Sequence, residues 1–469
     1  MTISAQELLA THGPHLQTLL HETKLQASKL PLALNLATPE RQEYLLTNND
    51  VSLYIHYPFC VHKCPYCDFA SLAEGSDRQR DEQYINLLIK EFKLKAPLLG
   101  TRKLISLYIG GGTPSLCEPD LWGRLLETVG PYLAPGAEMS LEANPGTIDL
   151  QRLKELRAVG FNRISIGVQS FNDQALKRLG RIHNGQEAIN ACTNARKAGF
   201  ENYNLDIMHG LPRQDVGLAL SDLHMALQMQ STHLSWYELT LEEGTVFGDH
   251  PPALPDEDVL YSIEQEGFYL LDKAGFEHYE VSGYNLGGDY RCLHNQNYWL
   301  YGDYLGIGAA AHQKITLRSA ADSALDSATP VITKEAISSL ASVSAISYVP
   351  ALDKGAALGI YRSANSENYL EYMNACMQSH ANLAQGVLEQ RLVPSDERAF
   401  EFMLNRLRLG YDKVRAGEFE MRTGLDQSTI VSELKHIQEQ GLIELYADGS
   451  FALNDQGRLM LNDALAYFL

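Results

Sequence analysis

Three of the chain's seven cysteines fall within eight positions, at Cys60, Cys64 and Cys67 in the run HYPFCVHKCPYCDF. Their spacing is C-x3-C-x2-C. Three thiolates can hold three irons of a [4Fe–4S] cube and leave the fourth iron open, where the usual four-cysteine set would close it. An open, redox-active iron can bind and reduce a ligand. A structural zinc site is the alternative, with His56 or His62 as fourth ligand. Zinc favours paired C-x2-C elements, however, and no second pair exists in this chain. Cys117, Cys192, Cys292 and Cys376 stand alone and read as small buried hydrophobes.

Other chemistry-bearing residues stand at recurrent places. Gly110-Gly111-Gly112-Thr113 makes a glycine-rich turn, in which backbone carbonyls and amides can approach a charged ligand closely. Taken alone, a tight turn ending in Pro reads the same way. Glu142, in LEANPG, is a carboxylate suited to accept two hydroxyls, or else a surface residue or helix cap. Gln169 and Arg181 can supply amide and guanidinium donors to a carboxylate. Asp206 sits in the apolar run NLDIM and needs a partner there, either a base such as Arg181 or a ligand.

The elements that must position these residues form a strand-then-helix rhythm from Val51 onward. Candidate strands are 51–57, 104–110, 138–143, 163–169, 202–208 and 233–239, read as apolar on both faces in a helix-covered parallel sheet. Helical patterns cover 79–95, 120–133, 149–159, 173–198 and 215–229, several closed by Gly. Six such units predict an α/β fold, a βα barrel, complete or open, with its functional groups at the C-terminal strand ends. All the residues singled out lie at or near such ends.

The remaining chain divides as follows. Residues 1–50 form a polar N-terminal extension with a weakly amphipathic start, and 51–245 are the barrel core. Residues 246–316 extend the barrel. Residues 317–365 read as a tolerated insertion, since 317–364 hold 20 Ala or Ser in 48 positions. Residues 366–469 predict helices at 396–408, 412–422 and 427–440, then a hairpin turning at Asp448-Gly449. Three helices and a hairpin make a winged-helix-like module.

Composition narrows the function. The chain has 469 residues, 58 acidic against 38 basic, and a formal charge of −20, which disfavours binding nucleic acid by phosphate neutralisation. Residues 396–469 alone carry 8 Lys/Arg against 13 Asp/Glu, so the winged-helix-like module is expected to contact protein or act as a lid. No apolar run reaches 18 residues and the start lacks a secretory leader, so a cytoplasmic protein is expected, or one peripheral at the inner membrane, with no transmembrane segment.

The cysteine cluster after the first strand, followed by YIGGGTPS after the second, resembles the radical S-adenosylmethionine superfamily. LEANPGT, RISIGVQSF, LGRIH, NLDIMHGLP, LSWYELT and HNQNYW are together similar to the oxygen-independent coproporphyrinogen oxidase (HemN-like) group, over about 51–316 and 366–469. This resemblance implies a partial (β/α)6 TIM-like barrel followed by a HemN C-terminal domain, and a [4Fe–4S] cluster held by Cys60, Cys64 and Cys67. S-adenosylmethionine would chelate the open iron through its amino and carboxylate groups. One electron passed to the sulfonium would then release methionine and a 5′-deoxyadenosyl radical. It further implies that Gly111, Gly112 and Thr113 contact the amino-acid end of S-adenosylmethionine. Glu142 would hold the ribose, Gln169, Arg181 and Asp206 would be ligand contacts, and Tyr54 and Tyr66 would cover the cluster and adenosine.

Departures from the pattern choose the branch. The decarboxylating dehydrogenases of the group carry a further cysteine two positions after the third, where this chain has Phe69. CPYCDF, GVQSF, DIMHGLP and HNQNYW look instead like the HemW branch of haem chaperones, described as passing haem to haem-dependent proteins such as respiratory enzymes. That branch implies haem as ligand and an electron donor as partner. His294 in HNQNYW is then a candidate haem-iron ligand, with Tyr298 and Trp299 offering flat faces to the porphyrin and His312 a second candidate. The competing expectation is an oxygen-independent coproporphyrinogen III dehydrogenase, forming protoporphyrinogen IX by radical oxidative decarboxylation. A zinc-stabilised interaction module is a third.

Overall fold

The computed structural model describes Leu45 and residues 50–288, 290–318, 358–378 and 387–469. Most of the N-terminal extension, and residues 319–357 of the expected insertion, lie outside the described residues.

Six parallel strands run in chain order: β1 (Val51–Tyr57), β2 (Leu104–Gly111), β3 (Leu133–Ala143), β4 (Arg163–Gln169), β5 (Asn202–His209) and β6 (His233–Glu238). Helices α1 (Arg78–Lys95), α2 (Pro119–Val129), α3 (Leu150–Val159), α4 (Asp173–Arg178), α5 (Gly185–Lys197) and α6 (Val216–Gln228) connect them. The expected βα rhythm is present, with one helix divided. Residues 173–198 form two helices, not one. The chain turns at Gly180 (φ +67°), and α5 restarts from Asn184 with a capping box to Glu187. That turn carries Arg181 to the site.

The strands alternate, and this corrects the expectation of two apolar faces. Val51, Leu53, Ile55, Leu107, Ile109, Ile164, Ile166, Leu205 and Ile207 belong to the large core packed under the helices. The intervening residues bond to one another on the other face: Ser106 to Ser52, Tyr108 to Glu142, and Ser165 to Asp206. A barrel filled only by packing would have apolar layers. This one keeps polar groups inside because its interior lines a site.

The sheet continues past both ends of the six strands. Helix α7 (Glu257–Lys273) leads to β7 (Phe276–His278) and β8 (Gly283–Leu286), with β8 antiparallel to β6. Short helix α8 (Leu293–Trp299) then crosses to β9 (Asp303–Ile307), which pairs parallel with β1. Strands β10 (His312–Arg318), β11 (Leu358–Asn365) and β12 (Val387–Leu392) complete a twelve-stranded mixed sheet. Residues 312–318 and 358–365 are therefore paired strands. The expected insertion at 317–365 narrows accordingly, because each side of it is tied into the ladder.

Helix α9 (Tyr369–Gln378) packs on α1. Helices α10 (Ser395–Arg406), α11 (Glu418–Thr423) and α12 (Val431–Glu439) follow, then the hairpin β13 (Ile443–Leu445) and β14 (Phe451–Leu453). The hairpin turns through Gly449 at φ +85°, as the Asp-Gly pair predicts. This unit has its own core around Phe402, Phe419, Leu434 and Phe451, shared with Tyr301, Leu358 and Ile360 of the barrel side.

Candidate functional site

Beyond β1 the chain makes a tight excursion. Phe59–Cys60 pairs with Leu72–Ala73, Leu72 N–H donates to Pro58 O, and Cys67 N–H donates to Cys64 O at 3.1 Å. This folds Cys60, Cys64 and Cys67 onto the rim of a cavity of about 440 Å³ at the C-terminal strand ends. Cys60 is buried, Cys64 and Cys67 are half-buried, and none is in a disulfide. Among the described residues, no three His, Cys, Asp or Glu side chains converge enough to hold a single metal ion. Burial pushes the Cys60 and Cys67 thiols up, and neighbouring sulfurs raise them further. Three thiolates side by side need cations between them, which is what an iron–sulfur core supplies.

Arg181 joins the cluster loop to the opposite wall. Its guanidinium donates to Tyr66 Oη at 3.3 Å, to Cys64 Sγ at 3.7 Å and to Gly167 O at 2.6 Å. Its Nε has no partner, although it is buried. An orphaned guanidinium nitrogen at a cavity fits an anionic ligand. Gln169, also on the cavity, is held at φ +67° and accepts from Tyr237 Oη at 2.8 Å. A non-glycine residue in that region stores strain of the kind found at ligand sites.

Glu142 accepts from Tyr108 Oη at 2.9 Å and from Gly111 N–H at 3.2 Å. Burial, and then the nearby Asp206 carboxylate, push its pKa up to about 7. Asp206 accepts from Asn204 Nδ2 at 2.7 Å and Ser165 Oγ at 3.1 Å. The expected pairing of Asp206 with Arg181 is absent, because these nearer donors on β4 and β5 satisfy the carboxylate.

The glycine turn differs from expectation in one respect. Gly111 N–H is given to Glu142, Gly112 N–H to Tyr57 O, and Thr113 N–H to Phe59 O. The amides are spent within the chain, and so is the Thr113 carbonyl, which accepts from Leu116 N–H at 3.0 Å. The glycines are needed for close packing. A Cβ on Gly112 would lie 2.5 Å from Phe59 O, and one on Gly111 2.5 Å from the His56 ring.

Tyr66, Gly111, Gly112, Thr113, Glu142, Gln169, Arg181 and Asp206 thus share one cavity with the three cysteines. Tyr54 does not. It stands behind the wall, its Oη bonded to His56 Nδ1. His294 is also absent from the cavity. It lies on α8 at the foot of the barrel, with Nδ1 3.2 Å from Ser106 Oγ. Its ring is 5.1 Å from that of Tyr108 and 6.2 Å from that of Tyr54. His294 is not among the residues that line the cysteine cavity, so the expected haem ligation by His294 would not take place in that cavity. Trp299 has the Arg408 guanidinium over one face, and Tyr298 makes a tilted contact with Tyr304. His312 is exposed at the start of β10, away from the cavity lining. Tyr237, Ser165 and Ser235 line the cavity and were not singled out from sequence. The polar alternation of β4 and β6 was their available signal.

A sequence profile described as the radical SAM superfamily matches residues 54–223, and one described as the HemN C-terminal domain matches 393–460. The heme chaperone HemW of Haemophilus influenzae is 39% identical over 427 residues, covering 89% of this chain and 98% of that protein. HemW of Escherichia coli is 38% identical over 421 residues, with the same coverage of each. Among solved structures, coproporphyrinogen III oxidase (HemN) from Escherichia coli superposes with a TM-score of 0.69 at 20% identity, over 91% of this chain and 93% of that one. That likeness establishes the fold. Superfamily membership implies a [4Fe–4S] cluster and S-adenosylmethionine, and the donor set at the cavity fits both. By its near full-length similarity to these relatives, the chain belongs to the HemW heme chaperone family of the radical SAM superfamily.

Proposed function

We propose that this protein holds a [4Fe–4S] cluster on Cys60, Cys64 and Cys67, binds S-adenosylmethionine beside it, and carries haem to haem-dependent proteins. The observation that carries this reading is the set of three free thiols on one loop facing the cavity, with Phe69 half-exposed where the decarboxylating enzymes place another cysteine. The cluster, when bound, supplies an open iron able to donate one electron to a sulfonium. An electron donor is therefore a partner in this reading, as are respiratory or similar haem proteins receiving haem.

The chain's own groups have separable tasks. The Arg181 guanidinium and the Gln169 amide orient the carboxylate of S-adenosylmethionine, while the Gly111 and Gly112 carbonyls of the turn face its ammonium. Glu142 accepts from the ribose hydroxyls, and Asp206 keeps the Ser165 and Asn204 dipoles fixed beside it. Tyr66 covers the adenosine side and excludes water from the sulfurs.

The reading is tested on anaerobically reconstituted full-length protein assayed together for iron, haem and porphyrinogen conversion. About four irons per chain are expected. Haem should be retained and be transferable to an apo-haem protein, with no decarboxylation of coproporphyrinogen. Formation of protoporphyrinogen would assign the dehydrogenase activity instead, and zinc without iron would remove the radical reading.

Glu142 makes a pH dependence part of the same reading. Its ionised form accepts both ribose hydroxyls, and its pKa lies at about 7 in the ligand-free protein. Affinity for S-adenosylmethionine should therefore be full above that value and fall as pH drops, approaching tenfold per unit below it. In Asp206→Asn the like charge is gone, so the midpoint moves to lower pH. A flat affinity between pH 6 and 8 in equilibrium dialysis would remove Glu142 from the ribose site.

A further inference from the structure

The HNQNYW segment forms α8, and side-chain hydrogen bonds tie it to strands of the barrel. Glu138, midway along β3, accepts from Leu293 N–H at 3.1 Å, His294 N–H at 3.4 Å and Cys292 Sγ at 3.5 Å. Asn297 Nδ2 donates to Ser52 Oγ at 2.9 Å and to Asp303 O at 2.8 Å. Ser52 in turn receives Ser106 Oγ at 2.7 Å, and Ser106 meets His294 Nδ1. The helix is a plug. Its His294 ring projects upward between Tyr54 and Tyr108.

Both tyrosines lead to the same turn. Tyr108 Oη donates to Glu142, whose other oxygen takes Gly111 N–H. Tyr54 Oη meets His56 Nδ1, and the His56 ring fills the space where a side chain at Gly111 would stand. Two chains of contact, one through Tyr108 and one through Tyr54, therefore rest on a single imidazole and converge on Gly111.

We infer that His294 is a positioning residue of the S-adenosylmethionine site, its ring carrying Tyr108 and Tyr54 so that Glu142 and the Gly111 turn are held in place for the nucleoside. This rests on the assignment of Glu142 to the ribose. It gives the histidine of HNQNYW a task that does not involve haem iron, in keeping with its distance from the open cavity. Other parts of the motif share the labour: Asn297 fixes the helix to β1 and β9, and the backbone at 293–294 fixes it to β3. A group held so firmly from below can set the height of a ring above it to within a fraction of an ångström, which is the precision ligand orientation needs.

The test uses the full-length protein carrying its cluster, with S-adenosylmethionine affinity measured by equilibrium dialysis and haem binding by absorption spectroscopy. His294→Ala should weaken S-adenosylmethionine at least fivefold, with iron content and the haem spectrum unchanged. His294→Phe keeps a ring beneath both tyrosines and should recover most of that loss. Tyr108→Phe should weaken binding as well, and His294→Ala added to it should cost less than the two single losses combined, since the Tyr108 route is shared and only the Tyr54 route is left to lose. Because truncation in this wall also removes packing, the Phe variants carry the test if the Ala protein does not fold. Affinity within twofold of the parent in His294→Ala, or in His294→Phe and Tyr108→Phe together, would overturn the inference. So would loss of the haem spectrum from His294→Phe with S-adenosylmethionine binding intact. Glu142→Ala separates this failure from that of the underlying reading: if it leaves affinity unchanged, the ribose assignment fails first.

Discussion

Cys64→Ser protein, reconstituted without oxygen, is expected to retain less than one iron per chain where the parent holds about four. The argument is one of ligand supply. Three thiolates are the minimum that can anchor the cube while one iron stays open, so losing any one leaves two irons without a protein ligand. No other cysteine can replace it. Cys117 is buried beside the start of α2, Cys192 lies within α5, Cys292 precedes the barrel plug, and Cys376 lies within α9. Cys60→Ser and Cys67→Ser should behave alike, while Cys192→Ala keeps its full iron. S-adenosylmethionine affinity should fall with the cluster, because its chelating iron is gone. The measurement is iron and acid-labile sulfide per chain, with the visible spectrum as a first look. Full iron in Cys64→Ser would refute the three-cysteine assignment, and loss of iron in Cys192→Ala would show that the ligand set is wrong.

Features encoded locally could be read before the fold was known. The cysteine spacing, the strand runs and the Asp448-Gly449 turn each depend on neighbours within about ten residues, and each stands where it was expected. Glu142 and Gln169 were legible because the end of a parallel strand in a βα barrel faces the site whatever the loops do. The missing parts are non-local. Whether the amides of the glycine turn are free depends on Glu142 and Phe59, 31 and 54 residues away from Gly111 and Thr113 in the chain. The fate of His294 depends on Glu138 and Ser106, which no spacing connects to it. One miss did have a local signal: Gly180, then Asn184 and Glu187, mark a helix stop and a new capped start within 173–198. The motif HNQNYW looks like chemistry because His, Tyr and Trp often bind ligands. Here the His294 ring lies by Tyr108 and Tyr54, Tyr298 by Tyr304 and Trp299 under Arg408, contacts that only the tertiary structure reveals.

Asp303→Ala should be the most damaging substitution outside the site, costing about 3–5 kcal/mol of stability. Asp303 opens β9, the strand that pairs with β1 and joins the six-stranded core to the β10–β12 extension. It is buried, and all of its acceptor capacity is used: Arg102 Nη1 donates at 2.5 Å, Lys314 Nζ at 3.0 Å, and Thr316 N–H and Oγ1 each at 2.8 Å. Burial alone would raise its pKa, but the Lys314 and Arg102 charges overcome that and hold the carboxyl well below its usual range. A carboxylate so depressed contributes stability above its unfolded pKa near 4, and the contribution disappears as pH falls toward the folded value. Truncation removes the anion and leaves two buried cations facing each other without it, which is worse than losing the pair entirely. Asp303→Asn keeps the shape and one acceptor, so its loss should be about half as large. The effect would be read as a lowered urea midpoint for the barrel. Below pH 4 the gap between parent and Asp303→Ala should narrow, because the parent is then losing the same carboxylate. Equal midpoints for parent and Asp303→Ala at pH 7 would mean that solvent or rearrangement compensates the cations, and that the extension is not locked to β1 through this charge.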